Sequence, residues 1–315
     1  MVFQELLSQA FIIALLASAI RLAMPLLIAG LGEIFTERSG ILNIGIEGAM
    51  LFGGLGGFLG SYYTGSPWLG LLFGMLAGAA MSSIHAFMTI NLAVDQVVSG
   101  IAVNLLSTGV SIFLYRAIFG ISTSLPSANG FDVVEIPFLS KIPILGPILF
   151  QHQILVYLAL GLVLLANIVL TRTTFGLRVT AVGEDPHAAE TMGINVYSHR
   201  WTCEVIGGLA AGMAGTFLAL GQLTTWQETI VAGRGFIAVA VVMFGRWNPV
   251  GALGASLLFG LADAFQLHLQ AFSFTTIPPQ LLRGLPYLVT VLVMLTGVGK
   301  AAVPSALCVP FTRED

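Results

Sequence analysis

Charge is what this chain lacks most: Asp, Glu, Lys and Arg make up 9% of its 315 residues, against roughly a quarter in a soluble domain. Too few polar side chains remain to cover a water-facing surface, so soluble, disordered and coiled-coil architectures are excluded. Cysteine is scarce too: Cys203 and Cys308 form no metal-ligand spacing and no disulfide framework. Lysine occurs only at Lys141 and Lys300. Neither stands in Gly-x-x-x-x-Gly-Lys-Ser/Thr, so the chain has no phosphate-binding loop of its own. Gly-x-Ser-x-Gly and His-Glu-x-x-His are also missing, which leaves serine-nucleophile and zinc-hydrolase chemistry unsupported. His85, His152, His187, His199 and His268 share no helical face and read as structural or surface residues. No catalytic residue, metal or cofactor is expected. With 12 basic against 15 acidic residues, no nucleic-acid surface is expected either.

What is present is apolar. The AVILMFWYC set supplies 57% of residues, 37 residues are glycine, and mean hydropathy is +0.94. A spanning helix needs about 20 apolar residues, whereas a membrane barrel shows alternating segments of about 10. The runs here are long and unbroken, which predicts an all-α, polytopic integral membrane protein with one transmembrane domain over residues 1–315. Apolar spans are read at 10–31, 41–63, 68–90, 97–119, 154–170, 201–220, 236–244, 252–269 and 281–296. That is about nine transmembrane helices by length, the seventh being short and expected to extend into its glycine-rich flank. Short loops rich in Lys and Arg stay cytoplasmic. The connection holding Arg172, Arg178 and Arg200 therefore places Arg38, Arg246, Lys300 and Arg313 on the inner side, with the N-terminus outside. Gly70, Gly74 and Gly78 form a ridge of four-residue spacing, repeated by Gly53 with Gly57, Gly56 with Gly60 and Gly208 with Gly212. Helices approach closely in lipid through that spacing.

The few polar residues are concentrated. Residues 32–48, GEIFTERSGILNIGIEG, set Glu33, Glu37, Arg38, Asn43 and Glu47 between two apolar runs. Charge at the bilayer centre costs about 2.5–3.5 kcal/mol per residue and is shielded by protein or a watery cavity. With Gly40, Gly45 and Gly48 as bend points, the segment reads as a broken helix, or else as a cytoplasmic turn holding a Glu37–Arg38 pair. Asn43 and Glu47 share one helical face. The fourth span opens with Asp95 and Gln96 and carries Ser99, Asn104 and Ser107. Asn43, Glu47, Gln96 and Asn104 are thus candidates to line the path of a polar solute, with bundle-holding hydrogen bonds as an equal alternative. Further on, Asp185 can cap a short helix, Pro186 suits its first position and Gly193 its end. That element of about two turns is either a docking knob or a plain connection. The proline-bearing loop 120–153 is expected to cap the outer mouth or meet an extracytoplasmic partner.

Three blocks carry a resemblance: ERSGILNIGIEGAMLFGG from Glu37, AVGEDPHAAETMGIN from Ala181, and GRGFIAVAVVMFGRWNP from Gly233. In this order they resemble the permease subunits of bacterial ABC importers for simple sugars and nucleosides. The first block looks most like the nucleoside-type branch, with ribose and branched-chain amino acid permeases more distant. The resemblance implies a multi-pass subunit of the inner (cytoplasmic) membrane that translocates a nucleoside or simple sugar. Its implied partners are a cytoplasmic ATP-binding subunit, a second paralogous permease, an extracytoplasmic substrate-binding protein and membrane lipid. It also implies that Glu184, Asp185, Pro186, Ala189, Glu190, Met192 and Gly193 form a cytoplasmic coupling helix that docks on the ATPase. The rival reading is a stand-alone transporter coupled to protons or sodium through Glu47 or Asp95.

Overall fold

The computed structural model describes residues 9–120, 125–271 and 303–312, with Gly284, Leu288, Val291 and Leu292 between the last two. Those residues are almost wholly helical. The first half comprises α1 (Gln9–Arg38), α2 (Ile46–Thr64), α3 (Pro67–Ala86) and α4 (Gln96–Phe119), α3 running on as a π-helical turn at Phe87–Asn91. An outer segment holds β1 (Val133–Glu135), α5 (Leu145–Leu149) and β2 (Gln151–Gln153). There follow α6 (Ile154–Arg172), α7 (Thr174–Glu184), α8 (Pro186–Thr191), and α9 (Val196–Thr216) with a π-helical continuation at Phe217–Leu223. The chain goes on through α10 (Arg234–Phe244) and α11 (Pro249–Ala271).

Among the described residues, 6 helices rather than nine are long and apolar enough to cross a membrane: α1, α3, α4, α6, α9 and α11, with the π turns included. Three expected spans differ for distinct reasons. The second is a regular 19-residue helix, α2, whose sequence IEGAMLFGGLGGFLGSYYT is diluted by glycine. The seventh is α10, only 11 residues long; its flank does not extend the helix. The ninth, 281–296, falls almost entirely outside the described residues.

Packing follows the glycine ridges. On the shared face of α2, α3 and α9, a Cβ added to Gly53 would overlap Gly212, one on Gly74 would overlap Thr216, and one on Gly78 would overlap Gly208 and Gly212. Backbones therefore touch where the four-residue spacing repeats. Helix α9 is the enclosed centre and α4 and α11 form the rim, with Leu105 and Phe113 of α4 and Leu164 and Leu165 of α6 turned outward. An apolar exterior around a small-residue core suits hydrocarbon as the surrounding solvent.

The two ends of the bundle differ. At one, Trp247 follows α10 and donates to Glu37 near the end of α1, while Gly183 of α7 lies against the Arg38 carbonyl. Arg38, Arg246 and the α7–α8 connection thus share one end, as the basic residues suggested; Lys300 and Arg313 lie outside the described residues. At the other end β1 and β2 pair antiparallel, Val133 opposite Gln153 and Glu135 opposite Gln151. Ser61 Oγ donates to the Asn129 carbonyl (2.7 Å), and the Ala128 and Phe131 amides donate to Thr224 and Leu220 (2.9 and 3.2 Å). The loop so caps α2 and α9.

Candidate functional site

Helix α1 stays regular through Arg38, so the break is shorter than the 32–48 stretch: it covers residues 39–45. Gly40 makes it possible, with φ at +92° and the Arg200 guanidinium and Ala306 carbonyl 2.8 and 3.0 Å from where a Cβ would sit. Backbone freed inside a bundle must find partners, and side chains supply them. Gln96 Oε1 accepts the Leu42 amide (2.8 Å) and Glu33 Oε1 the Asn43 amide (2.9 Å). Asn104 Nδ2 donates to the Ile44 carbonyl (3.0 Å) while its Oδ1 accepts the Gly48 amide (2.7 Å). One asparagine thereby bridges the end of the break and the start of α2.

Around this break lies a buried polar cluster drawn from α1, α3, α4 and α9. Asn43 Nδ2 donates to Ser82 Oγ (3.2 Å) and Glu204 Oε2 (3.0 Å). His85 Nδ1 meets Glu204 Oε1 at 3.1 Å, both side chains without solvent exposure, and His85 Nε2 donates to the Gln96 carbonyl (3.3 Å). Glu33, Glu37 and Glu204 are thus three carboxylates in one dry region. Glu33 Oε2 and Glu37 Oε1 have no partner among the described residues. Groups of this cost persist in membrane proteins where they serve a path or a switch.

Glu47 occupies a different position. Its two carboxylate oxygens accept the Gly233 and Gly235 amides, each at 2.7 Å, and so cap the N-terminus of α10. At 1.5 Å per residue α10 is about 16 Å long, half of a ~30 Å hydrocarbon layer. The preceding residues 224–233 are non-helical, with Trp226, Ile230 and Val231 buried among them and Trp226 Nε1 donating to the Leu51 carbonyl (3.4 Å). Irregular backbone at this depth is tolerated only inside protein. The bundle therefore has a second interruption, and Glu47, in the first turn of α2 just past the first one, caps the helix that follows it.

At the end marked by Arg38, Asp185 Oδ1 accepts the Ala188 amide (2.9 Å), Pro186 opens α8, and Gly193 closes it at φ +81°. Ala189 is buried with Val182, Val196 and Phe311, whereas Met192 is 81% exposed. Glu184 accepts a hydrogen bond from Ser305 Oγ (2.9 Å). Residues 303–312 strap this element to the break: Ala306 N donates to the Gly183 carbonyl (2.9 Å), Cys308 N to the Gly40 carbonyl (3.2 Å), and Arg200 Nη1 to the Val309 carbonyl (3.3 Å).

A buried break between α1 and α2, a half-helix and an exposed capped knob accompany a matching sequence: residues 15–294 fit the family described as branched-chain amino acid transport system / permease component. The chain belongs to this permease family. The putative glucose ABC transporter permease protein TsgC13 of Haloferax volcanii is 39% identical over 330 residues, covering 96% of this chain and 99% of its own. The guanosine ABC transporter permease protein NupQ of Bacillus subtilis is 39% identical over 302 residues (92% and 94% of the two chains). The nucleoside ABC transporter permease protein NupC of Lactococcus lactis is 37% identical over 300 residues (93% and 94%). Each of these organisms also carries a more distant relative named for the same solute, such as NupP of Bacillus subtilis at 26% identity. No solved structure matches the chain.

In this permease the structure brings Asn43, Gln96 and Asn104 together at the break, while Glu47 faces α10. Sequence reasoning missed Glu204, although a lone carboxylate inside an apolar span is itself a signal. It also counts Arg200 only among the basic residues of the inner connection. Arg200 is buried, its Nε donating to the Ser39 carbonyl (3.1 Å). His85, read as structural or surface, is the buried partner of Glu204.

Proposed function

We propose that the chain is the permease subunit of an ATP-binding-cassette importer for a nucleoside or a related hydroxylated ring solute. It works in the cytoplasmic membrane beside a second paralogous permease, two ATP-binding subunits and an extracytoplasmic binding protein. The observation that carries the reading is α8: a capped, exposed helical knob on a chain that has no phosphate-binding loop. The relatives named for guanosine, nucleosides and glucose support the solute class.

Closure of the ATPases on ATP pushes α8 through Met192 and the exposed face around it. Ala189 backs this knob onto α7 and α9, and the strap at 303–312 passes the movement to Gly40. The Glu37–Trp247 and Glu47–α10 contacts make the break and the half-helix move together, and the paired bundles alternate between outward and inward openings. Asn43, Glu47, Gln96 and Asn104 are the proposed path residues. All four are engaged with protein here, so they meet solute in another conformation. Uptake of labelled guanosine and glucose by cells with and without the gene tests the reading. Loss of one uptake on deletion, restored by the intact gene, is expected; unchanged uptake of both counts against it.

A further inference from the structure

At the end opposite α8, a cavity of about 440 Å³ lies between α1, the π-helical turn after α9, α11 and the β1–β2 hairpin. Small-ligand pockets run roughly 300–1,000 Å³, so it suits a solute of nucleoside or monosaccharide size. Arg21, His152, Gln153, Gln222 and His268 are among its polar lining, and among the described residues no carboxylate lines it. Leu22, Phe217, Leu223 and Leu267 supply apolar surface.

Arg21 sits inside the long apolar helix α1. Among the described residues its guanidinium donates to Ser18 Oγ (3.1 Å) and has no acidic partner. A lone cation in hydrocarbon is expensive, and a fork of five donors leaves most of them free here; a watery cavity resolves both. The π-helical turn, a local geometry common at functional sites, brings Gly221 and Gln222 to the wall. Gln222 Nε2 donates to the Arg21 carbonyl (3.3 Å), and Gln153 Nε2 to the Phe131 carbonyl (3.0 Å). Because a carbonyl only accepts, the 2.7 Å contact of His152 Nε2 with Ile148 fixes the proton there. Nδ1 is left as a buried acceptor without a partner among the described residues. Burial above all, with the Arg21 charge adding to it, holds this imidazole below its ordinary range and keeps it neutral.

From this geometry we infer an outer acceptor site in the permease itself for a neutral, hydroxylated ring solute. Guanidinium and amide donors meet its oxygens, the amide oxygens accept from its hydroxyls, and the apolar wall takes its flat face. The inference rests on the importer reading above and adds that the permease contributes recognition of its own.

In cells carrying the whole transporter, a Gln222→Cys variant is treated from outside with a membrane-impermeant maleimide, with and without millimolar guanosine or glucose. Cys203 is buried and Cys308 lies at the opposite end, so the native thiols do not compete. Labelling slowed several-fold by one solute is expected: protection by guanosine identifies a nucleoside site, protection by glucose a sugar site. Ser18→Cys, across the cavity, gives the same reading should Gln222→Cys fail to reach the membrane. Arg21→Gln should raise the half-saturating solute concentration for uptake about tenfold with the maximal rate retained. Labelling indifferent to both solutes at both positions, or a wild-type half-saturation in Arg21→Gln, overturns the acceptor site while persisting uptake leaves the importer reading intact. A wild-type system that takes up neither solute overturns the importer reading instead.

Discussion

Replacing Glu47 by Gln and by Leu separates a helix cap from a contact with solute. Its two oxygens accept the Gly233 and Gly235 amides at 2.7 Å. Hydrogen bonds to a charged group contribute about 1.5–3 kcal/mol each, and the positive end of a helix adds about 0.3–1. Polar contacts measured inside membrane bundles run lower, at about 0.6 to 1.7 kcal/mol, so the pair together is worth on the order of 2–4 kcal/mol. Gln keeps one acceptor but turns an NH2 toward the second amide, losing about half of that. Leu removes both acceptors and leaves two buried amides bare, close to a glycine whose Cβ would sit 2.6 Å from the Glu47 Cα. Thermal unfolding of the purified chain in nanodiscs, followed by tryptophan fluorescence, reads the effect locally because Trp226 and Trp247 flank α10. The expected order of stability is wild type, Glu47→Gln, Glu47→Leu, with a drop of a few degrees for Gln and about twice that for Leu. Equal melting of all three, with uptake lost in Glu47→Leu, would show that Glu47 acts on solute and caps nothing.

Met192→Glu, on the exposed knob, should leave membrane abundance unchanged while abolishing solute-stimulated ATP hydrolysis by the assembled complex; wild-type stimulation contradicts docking through α8. Gly212→Val puts a branched side chain against the Gly74 carbonyl, and overpacking costs about 1–3 kcal/mol or more. The yield of monodisperse chain on gel filtration should fall sharply, and a normal yield would mean the helices are not in backbone contact. His85→Ala leaves Glu204 buried without its 3.1 Å partner, a loss of about 3–5 kcal/mol. Adding Glu204→Leu should restore melting, and a double variant no better than the single one removes the pair from the list of what holds the cluster.

Several features of this fold can be read directly from residue order. Spans with unbroken apolar runs, such as α6, are legible because hydrocarbon thickness dictates helix length. The cap of α8 is legible because Asp185, Pro186 and Gly193 are local signals. Residue order leaves 221–235 as a gap between two apolar runs, but that Trp226, Ile230 and Val231 are buried in it and that the distant Glu47 caps the helix after it has no local signal. For the same reason the His85–Glu204 pair escaped, since 119 residues separate two groups that share no periodicity. The outer cavity draws one wall from a hairpin and another from a π turn, neither of which has a pattern in composition.

Reconstitution decides whether this chain is a conduit driven by separate ATPases. Purified chain is placed in liposomes alone under a proton or sodium gradient, and in parallel with its second permease, ATP-binding subunits and binding protein under ATP. Accumulation of labelled guanosine or glucose only in the complete, ATP-supplied vesicles is expected. Accumulation by the chain alone along an ion gradient contradicts it.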